Sequence, residues 1–115
     1  MELKVDVHPK GEGVMVIVLR GEIGTDTVSQ FKEQIDQIVA DGQIRLVMDF
    51  NEVNYLNSMG LGVVMAILRK VKKSKGDLKL LNLSPSVKEL FELTHLTKVF
   101  EIFETEDAAV KSFSS

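Results

Sequence analysis

The chain has no cysteine and no tryptophan, a single tyrosine, two prolines and two histidines among its 115 residues. Without cysteine, disulfides, thiolate catalysis and thiolate metal sites are excluded together, and the composition fits a reducing compartment. The histidines, His8 and His95, make a poor metal-ligand set on their own. One falls in a strand or turn and the other after a helix, so neither reads as the positioned base that a serine nucleophile requires. Positive charge is not in excess either: 14 basic residues face 17 acidic ones, for a net charge of -3, which argues against a phosphate-backbone binder. The densest basic cluster, Arg69-Lys70, Lys72-Lys73 and Lys75, falls at the end of a predicted helix, where cations favour the macrodipole. No apolar run approaches the roughly 20 residues that span a bilayer. The alternating start, Met1 to Asp6, lacks a signal-peptide core, so the chain reads as cytoplasmic.

What is present is the material for one core. Hydrophobic residues make up 44% and charged residues 27%, as in ordinary globular domains. The length suits one domain, residues 1–115, with an ordered core from about residue 3 to residue 112.

Leu3, Val5 and Val7 alternate with Lys4 and Asp6, the period of a half-buried strand. His8 to Gly13 reads as a turn, and Val14 to Leu19 as a β-branched strand covered on both faces and joined to the first as a hairpin. Thr25-Asp26-Thr27 offers N-cap candidates for a helix carrying Val28, Phe31, Ile35, Ile38 and Val39, which ends at Asp41-Gly42. Ile44 to Phe50 reads as a buried strand, and a second helix runs from Ser58 or Met59 to Lys73, closed by Gly76-Asp77. Leu78 to Leu81 is a further strand. Ser84-Pro85-Ser86 opens a third helix with Val87, Leu90 and Phe91, Ser86 and Glu89 forming a candidate capping box. Val99 to Phe103 is a last strand, and Thr105 to about Phe113 a last helix with a fraying serine-rich end. Repeated strand-helix-strand units predict an α/β fold: a mostly parallel mixed sheet with an N-terminal antiparallel hairpin and about four helices.

Ligands and partners of open α/β sheets gather where strands end and helices begin. Two junctions qualify, Gly21 to Asp26 and Asn51 to Gly62. In the second, Asn57-Ser58-Met59-Gly60-Leu61-Gly62 puts a hydroxyl at a helix start, where a phosphate would meet unpaired N–H groups and the positive dipole end. The same residues also describe an ordinary cap, Asn57 or Ser58, with glycines that let the helix approach the sheet. Local chemistry leaves both readings open. A nucleotide loop is not indicated, because Gly60 and Gly62 lack a third glycine at Met65 and a following Gly-Lys-Ser/Thr. Asp49 and Glu52 read as solvated loop acids. Met15, Met48 and Met65 fall in core patterns, whereas Met59 at the helix start reads as an apolar contact for a partner.

Asn57-Ser58-Met59-Gly60-Leu61-Gly62, with Val47-Met48-Asp49-Phe50 and Val53 before it, resembles the centre of the bacterial anti-sigma factor antagonist family, whose single domain is called STAS. Gly21-Glu22-Ile23, Gly76-Asp77-Leu78-Lys79-Leu80 and Thr94-His95-Leu96 extend the resemblance over nearly the whole chain. It implies a STAS-like fold and a protein-binding switch that is not an enzyme and carries no cofactor. The implied phosphoacceptor is Ser58, and the implied partner-binding residues are Gly24, Thr25, Asp26, Asn57, Ser58, Met59, Gly60 and Leu61. The implied partners are an anti-sigma factor with serine kinase activity and a metal-dependent serine phosphatase, with regulation of transcription indirect. The other implied role is an unphosphorylated STAS module of a larger regulatory or transport assembly. Where the family typically has an acidic residue, a second hydroxyl and an early aspartate, this chain has Asn57, Met59 and Gly24.

Overall fold

The structure, a computed structural model, describes residues 2–114. One five-stranded sheet runs in the order β1 (Leu3–Pro9), β2 (Val14–Ile23), β3 (Arg45–Leu56), β4 (Asp77–Leu81) and β5 (Ile102–Phe103). β1 and β2 form the expected antiparallel hairpin, and every other pairing is parallel. The helices are α1 (Val28–Ala40), α2 (Ser58–Lys73), α3 (Pro85–Leu93) and the short α4 (Glu106–Lys111).

Strand alternation divides the apolar residues between two layers. Ile17 and Leu19 of β2, with Leu46, Met48 and Phe50 of β3, meet Phe31 and Ile35 of α1, Val64 and Ile67 of α2, and Phe91 of α3 in the main core. The intervening Val14, Val16 and Val47, with Leu81, face the other way and are covered by Ala109 of α4. This two-sided burial is what a continuous β-branched run predicts. Of the methionines assigned to the core, Met48 is fully buried, while Met15 and Met65 pack against its edge. Phe91 bridges Phe50 and Phe100, at centroid distances of 6.4 and 5.7 Å. Tilted aromatic pairs of this kind add about 0.5–1.5 kcal/mol beyond area burial, and these two tie α3 to β3 and to the segment entering β5.

Several expectations are corrected. β3 does not stop at Phe50 but continues to Leu56, because β2 also extends, with Gly21 to Ile23 pairing Val53 to Leu56. Two register shifts in this parallel pair each let β3 carry an extra residue, so its buried side chains, Phe50, Val53 and Leu56, recur every three residues instead of every two. That spacing, with polar residues between, is why the segment reads as a loop. The predicted strand Val99 to Phe103 shrinks to Ile102–Phe103. The third helix opens at Ser84-Pro85 as expected, but the Ser86–Glu89 capping box does not form: Ser84 donates to the Val53 carbonyl at 2.6 Å and Ser86 to that of Asn54 at 3.0 Å, so both hydroxyls fasten α3 to the β3 extension. The serine-rich segment after α4 is bonded back to the sheet. Ser112–Ser114 forms a 3-10 turn, and the buried Lys79 holds it, its Nζ 2.8 Å from Ser112 Oγ and 4.5 Å from the Phe113 ring centroid.

Asp49 and Glu52 are strand residues, not loop acids. Glu52 accepts from Arg20 at 2.9 Å, and Arg20 also reaches Asp6 at 2.5 Å, linking three strands on the exposed face. Asp49 is partly buried, and burial pushes its carboxyl above the ordinary aspartate range, with Glu52 and Glu106 adding to the rise against an opposing bond from the Asn51 N–H. The folded protein therefore keeps this proton at a higher pH than the unfolded chain does. Ionisation of Asp49 costs stability that is intact below the unfolded pKa and lost as pH rises through the folded one. Asp49→Asn, which retains an acceptor for Asn51, is expected to raise the melting temperature at pH 7 and to lose that gain below about pH 3.9. A melting temperature at pH 7 below that of the parent chain would contradict this.

Candidate functional site

The two junctions singled out by the sequence meet at one end of the sheet. β2 and β3 end side by side, with Ile23 paired to Leu56, and the Asn57 N–H donates to the Ile23 carbonyl at 3.0 Å. The loop after β2 is held by Thr27. Its hydroxyl accepts from the Gly24 N–H at 2.9 Å and donates to the Glu22 carbonyl at 2.7 Å. Thr27 occupies the N-cap position of α1 but makes no side-chain cap to that helix, because its oxygen is turned back to close the loop. The backbone N–H groups of Thr27 and Val28 bond instead to the Gly24 carbonyl, at 3.0 and 2.8 Å.

At the second junction Asn57, with extended backbone, is the N-cap of α2, and its Oδ1 accepts from the Gly60 N–H at 2.8 Å. A cap of this kind contributes about 1 kcal/mol. Ser58 is the first residue of the helix. Its side chain is exposed, and its hydroxyl makes no hydrogen bond among the described residues. The two readings left open by local chemistry thus fall on different residues: Asn57 does the capping, and the Ser58 hydroxyl is left for solvent. Asn57 also supplies the acceptor that an aspartate would supply there, without the charge.

Helical spacing then sorts the motif. Gly60, Leu61, Val64, Ile67, Leu68 and Val71 form the buried stripe of α2, while Ser58, Met59 and Gly62 face outward, Met59 with 59% of its surface exposed. Of the eight residues expected to bind a partner, Thr25, Asp26, Ser58 and Met59 are exposed and Asn57 is half-buried, whereas Gly24, Gly60 and Leu61 are buried. At Gly60 α2 lies tight against the strand ends. A Cβ there would stand 2.6 Å from Ile23 Cγ2 and 2.7 Å from Leu56 Cδ1. Met59 and Gly62 also open onto a groove of about 480 Å³ between α1 and α2, lined by Val63, Ala66 and the buried Ile67 together with Lys32, Asp36 and Lys70. The Lys32 ammonium, 2.6 Å from Asp36, holds that carboxyl below the usual range.

Sequence reasoning missed Tyr55 and Leu93, which are 45% and 71% exposed and border a shallow depression beside Leu56. Tyr55 is turned outward by the register shift in β3, which has no sequence signal of its own. Among the described residues no cluster of histidine or carboxylate side chains has metal-ligand geometry, and no helix is long and apolar enough to cross a membrane.

A mixed sheet with one antiparallel edge, three helices on one face and a glycine-bearing helix start beside the β2 loop is the architecture of a STAS domain. The STAS domain model matches residues 7–109, and the chain belongs to that family. It is 28% identical over 115 residues to a putative anti-sigma factor antagonist, BtrV, of Bordetella bronchiseptica, covering 100% of this chain and 97% of that protein. It is 30% identical over 112 residues to the anti-sigma-B factor antagonist of Bacillus subtilis, covering 96% of this chain and 100% of the relative. Among solved structures, an anti-sigma factor antagonist from Mycobacterium paratuberculosis superposes with a TM-score of 0.87 at 29% identity, over 99% of this chain and 96% of the other.

Proposed function

We propose that this protein is a cytoplasmic anti-sigma factor antagonist switched by phosphorylation at Ser58. Unphosphorylated, it binds an anti-sigma factor that is also a serine kinase and so releases a sigma factor. Phosphorylated, it lets that partner go until a metal-dependent serine phosphatase restores it. ATP and magnesium belong to the kinase. The docking face is Thr25, Asp26, Asn57, Ser58 and Met59, shaped from behind by Gly24, Gly60 and Leu61.

The observation that carries this reading is the exposed Ser58 hydroxyl at the first position of α2, relieved of capping by Asn57. A phosphate there adds about -1.5 to -2 charges beside N–H groups that have no intrahelical acceptor by position, and the positive end of the helix dipole accommodates it. The fold keeps its shape while the docking face acquires a charge that a partner built for the neutral surface must desolvate or repel.

The test is to incubate the chain with its cognate anti-sigma kinase and magnesium ATP, map phosphate by mass spectrometry and follow the complex by gel filtration. Phosphate at Ser58 with loss of the complex is expected, and Ser58→Ala should stay bound in ATP. Phosphate at another residue, or a complex indifferent to ATP, would overturn the proposal. The second of these results is what the constitutively binding STAS module predicts.

A further inference from the structure

β1 is an edge strand, paired to β2 on one side and to nothing on the other among the described residues. The side each residue presents can be read from its bonds. The Glu2 carbonyl accepts from Glu22 and the Lys10 N–H donates to Val14, both toward β2, whereas the Leu3 carbonyl is reached from α1 by the Gln30 amide at 2.9 Å. Backbone groups alternate along a strand, so the N–H and C=O groups of Leu3, Val5 and Val7 point to the open edge. Pro9, which has no N–H, continues that outward series, where a proline removes no bond within the sheet.

Side chains alternate as well. Leu3 and Val5 point to the helix face, where Leu3 is buried and Val5 packs against the core. Val7 follows on the same face but is 39% exposed. Lys4, Asp6 and His8 lie on the opposite face.

The geometry points to this edge as a docking surface for a second copy of the same chain, paired antiparallel about a two-fold axis at Val5. In that register Val5 lies opposite the partner's Val5, Leu3 opposite the partner's Val7, and Lys4 opposite the partner's Asp6. Leu3, Val5 and Val7 then each meet an outward-pointing residue of the partner, which closes about six ladder hydrogen bonds and joins the two sheets into one. The Leu3 carbonyl keeps a second lone pair beside Gln30 for its part in the ladder.

Charge selects this register. Lys4 with the partner's Asp6, and Asp6 with the partner's Lys4, are non-hydrogen-bonded pairs, in which Cα atoms approach to about 4.5 Å and opposite charges attract most. Glu2 falls opposite the partner's His8. A register centred on Asp6 instead would set Asp6 against the partner's Asp6 and Lys4 against the partner's His8. Lysine on an edge normally guards it against foreign strands, and Asp6 two residues away cancels that guard only for a strand carrying the same sequence in reverse. On the other face, the partner's Leu3 covers the exposed Val7. The contact is isologous and closed, a dimer and not a fibre, and its small area places it among weak, concentration-dependent associations, under about 1,200 Å².

Sedimentation velocity on the full chain from about 10 μM to about 1 mM, with amide hydrogen exchange at both ends of that range, tests this. Self-association is expected to rise with concentration, with exchange slowing at Leu3, Val5 and Val7. Lys4→Glu and Asp6→Lys, each shown to be folded by its thermal transition, should be monomeric alone and should associate when mixed, since the mixture restores opposite charges at both pairs. A chain that stays monomeric throughout, an association that survives both substitutions, or variants that remain apart on mixing would overturn the inference.

Discussion

Ser58→Asp is expected to weaken binding of the anti-sigma partner about 30- to 150-fold, the equivalent of about 2–3 kcal/mol, while leaving thermal unfolding unchanged or slightly improved. The two halves of this prediction have opposite signs for one physical reason. At the first position of α2 a carboxylate faces the positive end of the helix dipole, which favours it by about 0.3–1 kcal/mol within the isolated fold. At the proposed docking face, with Met59 and Thr25 in the contact, the same charge would have to be stripped of water or repelled as a partner closes. Ser58→Asn adds the bulk without the charge, so it should retain most of the affinity. Calorimetric titration at two salt concentrations separates the contributions, because the loss from a rim charge shrinks as salt screens it. Equal affinity of the parent chain and Ser58→Asp, or an equal loss for Ser58→Asn, would show that charge at this residue is not the switch.

Substituting alanine at two glycines of α2 should move stability in opposite directions. Gly60→Ala places a methyl group within 2.7 Å of two buried side chains, Ile23 and Leu56. Overpacking of this kind costs about 1–3 kcal/mol, against which the better helix propensity of alanine returns about 1. The net effect is destabilisation, with the start of α2 pushed away from the strand ends. Gly62 has no atom within 4 Å of its would-be Cβ, so Gly62→Ala should stabilise the fold by about 0.5–1 kcal/mol. Urea unfolding measures both. A stabilised Gly60→Ala would mean that Ile23 and Leu56 yield freely and that close packing is not the reason for glycine there. Because the added Cβ would also stand 3.3 Å from Asn57 Oδ1 and crowd the cap, Gly60→Ala should in addition lower partner affinity, whereas its effect on the distant β1 edge should be nil.

The element order, the hairpin and the parallel sheet were legible because each rests on periodicity and on turn residues that act locally. Val14 to Leu19 declared a strand covered on both faces, and Val28, Phe31 and Ile35 declared one buried helical stripe, whatever packs against them. The extension of β3 was not legible, since Asn51, Glu52 and Asn54 look like loop residues until the register shifts against β2 give each a place on the exposed side. Nor was the role of Ser84 and Ser86, whose hydroxyls suit a helix cap by their chemistry but are turned instead to the Val53 and Asn54 carbonyls of β3.

The motif at Asn57 to Gly62 divides along the same line. That a polar pair precedes two glycines at a helix start, and that Ser58 is the only hydroxyl in it, follows from residue order. Which of the pair caps the helix, which glycine is pressed against its neighbours, and which of the motif's side chains remain outside depend on where β2 ends beside β3. Periodicity and capping chemistry are nearest-neighbour properties carried along the chain. The close approach of Gly60 to Ile23 joins residues 37 positions apart, and a contact of that range exists only once the sheet has brought the two strand ends together.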